Sequence, residues 1–383
     1  MTDYYFVQPL DVLMLRGNKS FGDAGEHGEA LMPPWPSLFA GAFRSALLGQ
    51  DAAQLARFAS GERLDGALGE VLGTAAAPGD FRIRWVSVAQ TAPQGAQCFA
   101  CVPLPADLVA FDEEALPALA AMAPAELPVG SGADDRLPLT AVLRTSRAGK
   151  PQGGRWLANG ALEAYLAGDL PRTTLRSADL FKRESRLGIA LDPGARTAAE
   201  GAIYTTEAIA FAAQSGFLVG IDGMRGQLPP SGLLRLGGDG KGAAYRHVDF
   251  APSAPSPEGI ARERRFKIVL ATHAVFTAGW LPECVARADD GYWLHSNGFS
   301  ARLACAAVPR HETVSGWDLA LWQPKTAQRV APAGSVYWFD RFEGDPGKLA
   351  AWVDDGLWGE NPDMQRRAEG FNRAWLAAWP NNN

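Results

Sequence analysis

The sequence lacks a long apolar run. Its most apolar stretches, Ile268–Thr272 and Ala208–Ala213 among them, fall far short of the roughly 20 residues that a membrane helix needs. The opening MTDYYFVQPL has no basic segment leading into an apolar core. A secretory signal and a membrane partner are therefore not expected, and a cytoplasmic protein is. Cysteine is scarce, with Cys98, Cys101, Cys284 and Cys305 as the whole complement, which suits a reducing compartment better than a disulfide framework. The CFAC stretch at 98–101 has a C-x-x-C spacing but no second pair. It also reads as a strand, in which positions i and i+3 face opposite ways, so no zinc site is expected. Histidine is scarce too: the five residues His27, His247, His273, His295 and His311 form no H-E-x-x-H and no paired metal spacing. No G-x-S-x-G elbow and no recognisable pair of catalytic carboxylates is present. The expectation is a chain without enzymatic activity, metal or cofactor. Positive charge is in deficit, 36 Lys and Arg against 42 Asp and Glu, for a net charge of −6. That argues against indiscriminate nucleic-acid binding and leaves room for a local basic groove.

What is present is length enough for two domains, at 383 residues. YYFVQPLDVLML reads as a strand, followed by the polar, glycine-rich RGNKSFGDAGEHGEALMPPWP. Pro36 and Ser37 open a helix over Ser37–Leu48, with Leu38, Ala42, Ser45 and Leu48 at helical spacing. FRIRWVSVAQ (81–90) alternates strictly and is a strand. Residues 105–200 are rich in Ala, Pro and Gly and read as an insertion, with helical patches at 112–122 and 158–168. AIYTTEAIAFAAQSGFLVGIDG (202–223) reads as one or two strands interrupted at Gly216 and Gly220. LLRL, RFKIVLATHAVF, SARLACAAV and SVYWF are further strands, and 363–378 reads as a helix. The fold class is α+β, with strand–helix–strand order pointing to a ferredoxin-like unit. The two domains divide as 1–200, with an insertion at about 105–200, and 201–383.

Within LLRLGGDGKGAAYRHV (233–248), four glycines, one lysine and two arginines sit between apolar residues. The loop is not a Walker motif, because Gly242 follows Lys241 where Ser or Thr would bind magnesium. It is not G-x-G-x-x-G either, and no long helix follows it to receive a pyrophosphate. A hairpin turn is one reading. The other is contact with a phosphodiester backbone, through the N–H groups of Gly238, Gly240 and Gly242 and the cations Arg235, Lys241 and Arg246, with Tyr245 as a stacking face. A second basic stretch, RTTLRSADLFKRESRLGIALD (172–192), carries Arg172, Arg176, Lys182, Arg183 and Arg186. An exposed helix face would look the same. His27, in GEHGE, is a general-base candidate or a surface residue.

Three blocks resemble one family. QPLDVLMLRGNKSFGDAGEHGEALMPPWPSLFAGAFRSALL is similar to the N-terminal signature of the third-subunit family of Cmr complexes, RAMP proteins of type III-B CRISPR systems. The matching residues are Pro9, Leu10, Asp11, Leu13, Arg16 and Phe21, then Pro33, Pro34, Pro36, Ser37, Gly41, Ala42 and Arg44. ESRLGIALDPGARTAAEGAIYTTE (184–207) and SGWDLALWQPKTAQRVAPAGSVYWF (315–339) resemble two later blocks, in the same order. Residues 105–170 match no signature.

The resemblance implies two tandem ferredoxin-like, RRM-like domains and a glycine-rich loop late in the chain. It implies a non-catalytic subunit that holds the 5′ handle of the CRISPR RNA in antiviral defence. The implied protein partners are the large polymerase-like subunit and the backbone RAMP subunit. Handle recognition calls for phosphate and stacking contacts to single-stranded RNA. The electrostatic candidates are then Arg16, Lys19, Arg44, Arg176, Lys182, Arg183 and Arg186, beside the loop residues above. A RAMP endoribonuclease that processes CRISPR RNA with His27 as base, and a purely structural adaptor, are the alternatives.

Overall fold

A computed structural model describes residues 2–17, 27–49, 51–74, 76–92, 97–111, 118–126, 137–144, 149–158, 160–191, 194, 197–252, 257–318 and 323–379. The chain forms two compact units, each assembled from three separate segments. Unit 1 comprises Met1–Cys98, Ser177–Asp249 and Thr313–Ala327, and unit 2 comprises Phe99–Arg176, Phe250–Glu312 and Gln328–Asn383. The boundary expected near Gly201 falls instead inside a strand, Ala198–Phe211. The strands that follow it pair with the N-terminal strands, so the two halves of the sequence are not the two units.

Thirteen strands matter below: β1 (Thr2–Pro9), β2 (Arg82–Thr91), β3 (Phe181–Leu191), β4 (Ala198–Phe211), β5 (Ser215–Asp222), β6 (Ser231–Arg235), β7 (Gly242–His247), β8 (Phe266–Leu270), β9 (Val285–Ala288), β10 (Gly291–Ser296), β11 (Phe299–Ala307), β12 (Val336–Gly344) and β13 (Ala374–Ala378). In unit 1 the strands run β6-β7-β1-β5-β2, all antiparallel. Helix α1 (Pro36–Leu48) starts on Pro36, whose ring pre-sets φ for the first turn. Its buried Phe39, Phe43 and Leu47 recur at four-residue spacing and face the sheet. Phe39 meets Phe217 with ring centroids 4.9 Å apart, and Phe43 lies 5.6 Å from Tyr5 and 5.7 Å from Tyr245. Gly216 and Gly220 do not interrupt β5. They continue it with no side chain because a Cβ at 220 would come within 2.7 Å of the Tyr4 ring, and one at 216 within 2.4 Å of the Val7 carbonyl. β3 and β4 form a separate long hairpin.

In unit 2 the order is β9-β10-β11-β12-β8-β13, again antiparallel. Its core joins Phe266, Ile268, Leu294, Leu303, Tyr337 and Phe339, all fully buried. Helices α2 (Gly160–Ala167) and α3 (Pro346–Asp355) pack on β13. The helix expected over 363–378 spans only Met364–Glu369. Gly370 closes it at φ 91°, and Asn372 follows at φ 58°. The Asn372 amide is wholly buried. It accepts from the Val275 N–H at 2.7 Å and donates to the Val275 and Leu357 carbonyls, so a turn rather than a helix is fixed there. AWLAA then joins the sheet as β13. The helical patch expected at 112–122 is also corrected: 112–117 lies outside the described residues, and Ala118–Ala125 is a strand paired on both sides. Cross-strand pairing overrides alanine's helix propensity in that segment.

One buried polar cluster pins unit 2. The Lys267 ammonium lies 3.0 Å from Asp107 Oδ2, and the Tyr165 hydroxyl donates to Oδ1 at 2.7 Å. Lys267 also sits 4.2 Å from the centroid of the Tyr165 ring. Burial first, and then the Asp107 charge, hold the Tyr165 phenol protonated as a donor well above its ordinary range. Asp107→Ala is expected to cost about 3 kcal/mol, because it strands Lys267 without a counter-charge. Urea unfolding followed by tryptophan fluorescence measures this, and the pair Asp107→Leu, Lys267→Met is expected to recover most of the loss.

Candidate nucleic-acid interface

The glycine loop is the turn of the β6–β7 hairpin. Its neck closes through Leu236 N–H to Lys241 O at 2.8 Å, and Gly237, Asp239 and Gly240 take positive φ. The glycines do different work. A Cβ on Gly237 would sit 2.7 Å from the Met14 carbonyl, and the Gly238 N–H donates to that same carbonyl at 2.9 Å. Gly242 lies beneath Leu10. Gly240 alone of these faces open space at φ 62°, so only its conformation calls for glycine.

The segment after β1 ties this loop to the β3–β4 hairpin. Leu10 N–H donates to Gly242 O, Leu13 exchanges backbone hydrogen bonds with Ile209 at 2.9 and 2.8 Å, and Arg16 bridges to Ala30. The Arg183 guanidinium donates to Ala30 O at 2.6 Å and to Glu207 at 2.8 Å, while Glu207 also accepts from the Ala30 N–H. Lys241 reaches back to Asp11 at 2.8 Å. That hydrogen bond, then one from the Val12 backbone and the Lys241 charge, hold the Asp11 carboxyl below its ordinary value, and the Arg186 charge adds to the effect. Arg16, Arg183, Arg186, Gly238 and Lys241 thus gather round residues 10–16.

Side chains alternate along β7, which sorts the remaining candidates by face. Ala243 and Tyr245 point toward α1, and Gly242, Ala244 and Arg246 point the other way. Tyr245 is 5% exposed, with its ring edge-on to Tyr5 at 5.8 Å and against Phe43. The stacking face expected of Tyr245 is therefore corrected: its ring is core. Burial raises both phenols, that of Tyr5 to about 12. On the outer face Arg246 lies over the Phe6 ring at 5.2 Å. Arg235 is exposed beside Gly242, while Leu233 and Leu10 stand 69% and 62% exposed at either side of Gly242 and Ala244.

Other candidates lie elsewhere. Arg44, on α1, stacks its guanidinium 5.0 Å from the Phe81 ring centroid. Arg176 belongs to unit 2. Lys182 is exposed at the base of β3. Lys19 lies outside the described residues, as does the imidazole of His27, whose backbone runs parallel to β4. Leu10 and Asp11 stand in the sequence only as signature residues and not as site candidates, and Met14, Glu207 and Leu233 were not singled out at all. Their partners are up to 230 residues away, so no local pattern marks them. Among the described residues no cluster of His, Cys, Asp and Glu is placed to hold a metal.

The chain is thus a mixed α+β protein of antiparallel sheets carrying a cationic, glycine-lined hairpin turn. It belongs to the Cas_Cmr3 family of CRISPR-associated proteins, whose sequence model matches residues 5–379. The resemblance seen in the three sequence blocks is established at that level. A chain in a cryo-EM structure of the type III-B Cmr-beta bound to cognate target RNA and AMPPnP is similar in fold, at 14% identity and a TM-score of 0.50, covering 97% of this chain and 95% of that one. A chain in a second cryo-EM structure, type III-B Cmr-beta bound to cognate target RNA, aligns at 14% identity and a TM-score of 0.48, over 97% of this chain and 96% of that one. No curated protein matches.

The Lys241–Asp11 contact makes a direct prediction. In a carbon-13 NMR titration the Asp11 carboxyl is expected to protonate at lower pH than an unpaired aspartate, and Lys241→Met is expected to return it toward the ordinary value. An unchanged midpoint would show that the pair does not form in solution.

Proposed function

We propose that this chain is a non-catalytic, RNA-binding subunit of a type III-B CRISPR effector, holding the 5′ handle of the CRISPR RNA and docking the large polymerase-like subunit onto the backbone RAMP subunit. The observation that carries this reading is the convergence on residues 10–16. Two cationic elements far apart in sequence, the β6–β7 turn and the β3–β4 hairpin, meet there on an acidic chain. Cations beside small residues suit a sugar–phosphate backbone, since the strand approaches closely and contacts charge without base reading. The exposed Leu10 and Leu233 supply apolar contact where a tyrosine had been expected.

Strand order supports a tandem ferredoxin-like architecture. Numbered along the chain within each unit, β7-β1-β5-β2 and β13-β8-β12-β11 both read 4-1-3-2, fully antiparallel. Each unit keeps one crossover helix of the usual pair, α1 in the first and α3 in the second. On this reading the two RAMP units occupy interleaved segments rather than halves split at residue 201. No helix among the described residues is long and apolar enough to cross a membrane, which accords with a cytoplasmic assembly.

Handle-RNA binding by the reconstituted complex across a salt series tests the proposal. Lys241→Ala and Arg235→Ala are each expected to weaken binding about equally for all handle sequences and to reduce the salt slope by about 0.7–1. Gly240→Val is expected to weaken it further, because a β-branched residue resists positive φ. Unchanged binding in all three, with normal assembly, would leave the loop an ordinary hairpin turn. Cleavage of repeat RNA that His27→Ala abolishes would replace this reading with an endoribonuclease.

A further inference from the structure

Unit 2 carries a preformed groove of about 510 Å³, remote in sequence from every residue of the candidate interface. Its floor is apolar, made by Trp280, Ala306, Val308, Val330 and Ala331. Val330 and Ala331 are buried, and the small side chains of Ala306 and Ala331 leave the depth. Trp280 is set by its backbone. Its carbonyl accepts from the Tyr337 hydroxyl at 2.6 Å, Gly279 before it turns at φ 78°, and its indole rests edge-on to Tyr292 at 5.8 Å. At the rim Arg329 supplies a fixed positive charge, His311 lines it as well, and Arg310, outside the lining, precedes His311 in the chain. Among the described residues none of these three has an ion pair or a side-chain hydrogen bond.

We infer that this groove seats a segment of a partner protein in which a bulky apolar side chain is flanked by Asp or Glu. The volume lies in the ~300–1,000 Å³ range of preformed binding sites. An apolar centre with a positive charge at its rim is the anatomy of an interface pocket, with the centre supplying affinity and the charge orientation. On a chain of net charge −6 such a rim selects acidic sequence against the acidic remainder of the surface. A nucleotide fits less well. The floor offers no side-chain acceptor to a base edge and, in the Trp280 N–H, a single donor, and the Trp280 indole already spends contact on Tyr292. The inference does not rest on handle binding.

The test is photo-crosslinking from p-benzoylphenylalanine at Val308 in the assembled effector complex with guide RNA, read by mass spectrometry. The expected result is a crosslink to a subunit segment holding a Leu, Phe or Trp within three residues of an Asp or Glu. Arg329→Glu, an exposed change that spares the core, is expected to lower its yield at least fivefold, and Ala306→Trp, which fills the groove, to abolish it. If Ala306→Trp does not fold, the charge reversal decides. A crosslink to RNA, to a segment without acidic residues, or none above that from benzoylphenylalanine at exposed Asp289, overturns the inference. So does a yield indifferent to Arg329→Glu.

Discussion

The candidate interface hangs on the main-chain hydrogen bonds of residues 10–16. This short segment leaves β1 and runs between two hairpins, offering Met14 O to the glycine turn and both polar groups of Leu13 to Ile209. Backbone groups cannot be left unmade once buried, so each bond fixes a position as well as a partner. A glycine at 237 follows from that constraint, since any Cβ there would meet the Met14 carbonyl. So does the location of the cations: Lys241 stands where it does because the turn that carries it is docked, and Arg183 because β4 is bridged to Leu13. Electrostatics come second in this arrangement and use a frame that hydrogen bonding has already built.

The acidic residues in that frame have a role of their own. Asp11 holds Lys241, and Glu207 holds Arg183 against the Ala30 carbonyl, so the cations are kept extended and orderly before anything arrives. Both pairs lie near solvent, where water and salt screen them, and their hold is weak. Side chains arranged this way lose little rotamer freedom on meeting an anion.

Much of the secondary structure is legible in residue order alone. The strict alternation of FRIRWVSVAQ (81–90) and the helix opened by Pro36 identify β2 and α1 nearly to the residue, while the spacing read on Leu38, Ala42, Ser45 and Leu48 misses Phe39 and Phe43, which the helix buries. The errors have physical causes. The 363–378 segment has a helical pattern, but a buried left-handed Asn372 whose side-chain amide makes three hydrogen bonds outweighs it. Ala118–Ala125 is alanine-rich, yet two neighbouring strands claim it. The glycine-rich, cationic character of 237–242 is visible in the sequence, and so are its two readings. Which face of β7 takes Tyr245 is not visible, because a one-residue change of register would exchange it with Arg246. Nor does the sequence disclose Asp11 as the partner of Lys241, a pairing that exists only once β1 and β7 lie side by side.

The interleaving of the two units also orders events in time. β1 is made first but finds its neighbours in β5 and β7, more than 200 residues later, with Thr2 opposite Asp222. At about 5–20 residues per second, the ribosome leaves its row of unpaired amides waiting for roughly 10–40 s. A nascent chain with this apolar strand unpaired for that interval is exposed to association with its own copies. Its yield in a cell therefore depends on elongation rate and chaperone supply as well as on the stability of the finished fold.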